Sequence, residues 1–126
     1  MPDTTVRIDD LGDGARNALL IASIFLIKKN TAILIEEPEN HQHPAGLSTL
    51  LNFMLKIAKE NNLQLFFTTH SMEFIRLISN SIYKKDVRIY YLERDRNGVA
   101  DVRILESVDA EVLRKLGIDI RFLEVL

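Results

Sequence analysis

The 126-residue chain contains no cysteine. That absence removes disulfide bonds, thiolate zinc sites and thiol nucleophiles together, and it suits a reducing cytoplasm, the expected location. Charge of one sign is missing as well: 16 Lys and Arg against 18 Asp and Glu leave a net charge of −2 and a pI near 5.9. Global electrostatics therefore offer no nucleic-acid footprint, although a local basic patch stays open. The most apolar run, Ala18 to Ile27, is short and interrupted by Ser23, whereas crossing a bilayer takes roughly 20 residues. No membrane insertion is expected. The start, Met1-Pro-Asp-Thr-Thr5, lacks the basic and then apolar regions of a secretory signal, and no internal repeat or low-complexity tract is visible. With 47% hydrophobic and 27% charged residues, the composition is that of a soluble globular protein. One domain over 1–126, or part of one, is expected, with a core that buries well over half of the unfolded surface.

The chain is organised around Thr31-Ala-Ile-Leu-Ile-Glu-Glu-Pro-Glu-Asn-His-Gln-His-Pro44. Ala32 to Ile35 run without alternation into two carboxylates, which predicts a strand over 32–37 buried on both faces in a parallel sheet. Pro38 ends it, having no N–H for the ladder. Glu36 and Glu37 then lie at the carboxyl end of the strand, where open α/β sheets bind ligands. Two neighbouring carboxylates there can hold a hard cation such as Mg²⁺ and polarise a water. The bland alternative is a strand that ends in solvated charge.

Upstream, Asp10-Leu-Gly-Asp-Gly-Ala-Arg16 is a glycine-containing loop opening onto a helix over 14–29. That helix is apolar nearly all round from Ala18 to Ile27, so burial on most sides is expected, and Lys28 and Lys29 close it where the dipole favours cations. Backbone N–H groups at such a helix start make an anion site; plain capping by Asp10 or Asp13 is the alternative. Downstream, Pro44 opens a helix over 44–60 whose Leu47, Leu50, Leu51, Met54, Leu55 and Ala58 form a core-facing stripe. A second strand over 63–69 runs into His70, and Ser71 caps a helix over 72–79. Strand, helix and strand form a parallel crossover unit, right-handed by the usual rule, which brings His70 and Glu37 to one sheet edge. Strand-like 87–93 and 99–105 flank an Asn-Gly hairpin signal. A short strand over 4–8, a helix over 109–116 stopped by Gly117, and an apolar tail over 118–126 complete the expectation.

Three of these stretches together resemble the ABC-type ATPases, particularly the SMC, RecF and OLD-like branch. The apolar strand, Glu36, Glu37, Pro38, Glu39 and His41-Gln-His-Pro44 are similar to that family's Walker B strand and D-loop. Leu11-Gly-Asp-Gly-Ala15 falls where its signature motif lies, with Gly14 at the second signature glycine. Gly12 stands where the family has serine, and Asp13 where it has the first glycine. Thr68-Thr-His-Ser71 resembles the switch, or H-loop. The resemblance implies that Glu36, in place of the more usual Asp, supports Mg²⁺, that Glu37 orients the attacking water, and that His70 reaches the γ-phosphate of ATP. It further implies that Gly12, Gly14 and Arg16 act on a nucleotide held by the opposite subunit, hence a homo- or heterodimer. The fold implied is a parallel-stranded P-loop NTPase-like half-domain, a three-layer α/β/α arrangement, over 1–80, with a hairpin and short helix over 81–126.

A nucleotide-binding domain of this kind also needs a P-loop, G-x-x-x-x-G-K-[ST], and the chain has none. The expected partner is therefore a P-loop-bearing half of the ATPase, on the same or a separate chain, with DNA a further partner of the complete protein. Two other readings stay open: a non-catalytic dimerisation module derived from such an ATPase, and a metal-dependent nuclease or hydrolase using Glu36, Glu37, Glu39, His41 and His43.

Overall fold

The computed structural model describes Arg7 and residues 12–105. The strand expected over 4–8, the helix over 109–116 and the tail over 118–126 lie outside the described residues. Helix α1 spans Asp13–Ile27 and starts from Gly12 in an extended conformation with no side-chain cap. Strand β1, Ala32–Glu36, follows. Helix α2, Pro44–Asn61, has Pro44 in its first turn, and the imidazole of its N-cap, His43, accepts from Ala45 N–H. It ends at Asn62, whose left-handed φ of 53° returns its N–H to Ala58 O. Asn tolerates that conformation better than most residues. Strand β2, Gln64–Thr68, leads into helix α3, Met72–Ser79, whose first turn is capped by Ser71 Oγ accepting from Phe74 N–H at 3.2 Å.

The described chain divides into two compact units, the first ending at Phe74 and the second starting at Ile75. In the first, β1 and β2 pair in parallel, with Ala32 opposite Gln64 and Glu36 opposite Thr68. The crossover expected from sequence is present. Leu47, Leu50, Leu51, Met54 and Ala58 are buried along one face of α2, against which α1 buries Ile21 and Phe25. Each of the buried Leu, Ile, Met and Phe side chains contributes about 1.5–3 kcal/mol, and Ala58 less. Asn61 Nδ2 donates to Phe25 O at 3.2 Å and ties the two helix ends together. Phe74, fully buried, meets Phe67 edge to face at 5.4 Å.

Two burial expectations are corrected. Strand β1 alternates instead of being covered on both faces: Ile33 and Ile35 are half-buried while Leu34 is 78% exposed. Its partner across the ladder, Phe66, is exposed as well. Helix α1 buries one stripe, and Leu19, Leu20, Leu26 and Ile27 face outward. Among the described residues the sheet has two strands, and both alternate between half-buried and exposed positions, so no second layer covers the face that carries Leu34 and Phe66. The second unit carries a short 3₁₀ turn, Lys84–Asp86, and an antiparallel hairpin of β3, Ile89–Arg94, and β4, Ala100–Leu105. In the turn over 95–99, Asp95 Oδ1 accepts from Asn97 and Val99 N–H, and Gly98 supplies the left-handed φ of 80°. No helix among the described residues is long and apolar enough to cross a membrane.

Candidate functional site

Every sequence-selected site residue belongs to the first unit, and the turn after β1 connects them. Glu37 leaves the strand with φ of 46°. A residue before proline is ordinarily extended, so this left-handed backbone is strained by about 1–3 kcal/mol. The turn is held by its own hydrogen bonds: Glu37 N–H donates to Thr68 O at 3.0 Å, and Asn40 N–H to Glu37 O at 3.0 Å. Pro38 is fully buried beneath it. The Glu37 carboxylate has a neighbour at each oxygen. Asn40 Nδ2 donates to Glu37 Oε2 at 2.7 Å, and His70 Nε2 stands 3.5 Å from Oε1. His70 is otherwise 92% exposed, open to a ligand. Glu36 lies one residue earlier, exposed, opposite Thr68.

Gly12, Gly14 and Arg16 form the start of α1, on the other side of the same turn. A Cβ at Gly14 would lie 2.3 Å from His41 O, so no other residue fits there. Gln42 Nε2 donates to Gly14 O at 2.9 Å and seals the contact. A Cβ at Gly12 would meet nothing. The Arg16 guanidinium donates to Asp13 Oδ1; this hydrogen bond first, then the Arg16 charge and a smaller contribution from His41, hold the Asp13 carboxyl below its usual range. Asp13 lies inside the helix after the N-cap, Gly12, and no side chain caps this helix start, so the alternative of capping by Asp13 is not seen; Asp10 lies outside the described residues.

Sequence reasoning did not single out Asn40, Gln42 or Thr69 as contributors. The only available signal was their place in polar loops flanking the two strand ends. Among the described residues no three His, Asp or Glu side chains converge as a metal cluster, so Glu36, Glu37, Glu39, His41 and His43 do not form the dedicated site of the nuclease reading.

Residues 2–75 match the AAA ATPase domain family. The chain is 36% identical over 114 residues to an uncharacterised protein of Methanocaldococcus jannaschii, covering 88% of this chain and 99% of that one. It is 34% identical to an ATP/GTP phosphatase of Helicobacter pylori over 71% of this chain and 26% of the relative. Over 80% of the chain it is 28% identical to the OLD nuclease of Thermus scotoductus, of which it spans 21%. The chain thus spans about a quarter or less of these two longer relatives. The parallel strand pair, its crossover helix and this sequence match agree, and the chain belongs to the AAA ATPase domain family.

Proposed function

We propose that this chain supplies the hydrolytic and trans-acting groups of an ATPase whose P-loop-bearing half grips the nucleotide. The observation that carries the reading is the 3.5 Å approach of His70 Nε2 to Glu37 Oε1 at the carboxyl ends of two adjacent parallel strands. Glu37, fixed by Asn40, accepts from the attacking water and orients it; His70 donates to the γ-phosphate. Catalysis of this kind rests on positioning and charge stabilisation. The single exposed carboxylate of Glu36 suits Mg²⁺, which takes one or two protein carboxylates beside substrate phosphates and water, and the ion would neutralise charge on the phosphates. The backbone N–H groups of Gly12 and Gly14 and the guanidinium of Arg16 would act on a second subunit's nucleotide. Arg16 must leave Asp13 to do so, at small cost because both side chains are exposed, 44% and 66%. DNA or another macromolecule is then the target of the complete assembly, as suits the OLD nuclease relative.

The test is reconstitution with a P-loop-bearing half. Glu37→Gln keeps size and hydrogen bonding but removes the charge, so steady-state ATPase assays should show kcat falling about a hundredfold or more with ATP affinity retained. Equal turnover in parent and variant assigns hydrolysis elsewhere. One observation favours a second reading, a non-catalytic dimerisation module: Leu34 and Phe66, paired across the β1–β2 ladder, leave exposed apolar surface on the sheet. A stable dimer of this chain that ignores nucleotide even beside a P-loop half would select it.

A further inference from the structure

Glu39 is the one carboxylate of the turn that points inward. Its Oε1 accepts from Thr69 Oγ1 at 2.5 Å, and its Oε2 is buried with no hydrogen-bond partner. Drawing a carboxylate out of water for a single hydrogen bond is costly, and a solvated turn would not need it. The bond it keeps has a specific effect. Thr69 Oγ1, its proton committed to Glu39, accepts from Ser71 N–H at 3.0 Å, so one hydroxyl pins the backbone on both sides of His70. At 92% exposure, His70 has no packing to set its orientation. The backbone of 69–71 must do so. Glu39 also sits two residues from Glu37 in the turn, and its carbonyl accepts from Gln42 N–H at 3.1 Å. It is therefore a side-chain link between the turn that aims Glu37 and the loop that carries His70, beside Thr68 Oγ1, which accepts from Glu37 N–H at 3.2 Å.

We propose that Glu39 is a positioning residue that sets the Glu37–His70 approach through Thr69. Its meaning for catalysis rests on the ATPase reading, but the positioning does not, and the two are separable by experiment. In the 126-residue chain, Glu37→Gln should move the His70 ring nitrogen resonances in heteronuclear NMR, because the groups adjoin. That response should survive in Thr69→Ser, which keeps the hydroxyl, and be lost in Glu39→Ala and in Thr69→Val, which sever the link while circular dichroism reports an unchanged fold. Should Glu39→Ala fail to fold, Thr69→Val makes the same cut with a near-isosteric side chain. In the reconstituted ATPase, Thr69→Val should lower kcat about tenfold with KM for ATP unchanged, and Thr69→Ser should retain most of the activity. Loss of the His70 response in an assembly that never hydrolyses ATP would remove the ATPase reading and leave the positioning intact. Persistence of that response in both Glu39→Ala and Thr69→Val overturns the proposal, whatever the turnover.

Discussion

Arg16 and Asp13 illustrate what a single contact does to a residue's chemistry. The guanidinium of Arg16 lowers the Asp13 pKa below the ordinary carboxylate value, so folding favours the ionised acid. A depressed folded pKa contributes stability that is present above the unfolded pKa and is lost as pH falls through the folded one. The window therefore lies at and below the usual carboxylate range, and at neutral pH the acid is ionised. Arg16→Ala should raise the Asp13 titration midpoint toward an ordinary carboxylate, read from carboxyl-carbon chemical shifts against pH. An unmoved midpoint would mean that the pair does not persist in solution. If Arg16 acts on phosphate as proposed, that phosphate must compete with the carboxylate of Asp13. Glu37 is the contrasting case, in which the backbone itself departs from the ordinary: its φ of 46° lies in the left-handed region at the point where the chain leaves the strand.

At the scale of elements, the helices and strands were legible because local pattern and tertiary demand agree. Pro44 at the start of α2 and the Leu47-to-Ala58 stripe, Ser71 at the cap of α3, and the strand running into His70 all stand where their chemistry predicts. The burial of β1 and α1 was misread for one physical reason: an apolar run reports what a segment can bury against, and the described chain does not supply the second layer. The packing of α1 against the turn was likewise hidden, because Gly14 reads equally as a phosphate-binding glycine and as a place where a carbonyl comes close. The contact separates the two glycines. Gly14→Ala places a Cβ 2.3 Å from backbone oxygen of His41, which cannot rotate away as a side chain would, so a loss of about 1–3 kcal/mol is expected in urea unfolding. Gly12→Ala meets open space and should cost under about 1 kcal/mol, the difference between glycine and alanine as a helix cap. Equal costs would show that the turn and α1 do not pack as described.

At the scale of the molecule, one face of the β1–β2 sheet is left uncovered among the described residues. Leu34 and Phe66 stand directly opposite one another in the ladder, 78% and 48% exposed, and a lone pair of strands is marginally stable in water. A second helical layer would bury this pair, and the longer relatives, of which the chain spans 26% and 21%, have the additional sequence to provide one. If the P-loop-bearing half covers this face, Leu34→Ser removes apolar area that is in water in the free chain but dry in the assembly. The free chain should then unfold within about 0.5 kcal/mol of the parent, as surface changes generally do. Association with the P-loop half, measured by titration calorimetry, should weaken about tenfold, corresponding to roughly 1.4 kcal/mol. Phe66→Ser should weaken it further, since aromatic anchors at the centre of an interface carry disproportionate energy. Unchanged affinity in both variants would place the docking surface elsewhere. If instead Leu34→Ser converts a dimer of this chain to monomer in sedimentation velocity, with the P-loop half absent, then a second copy covers the sheet and the dimerisation-module reading takes precedence.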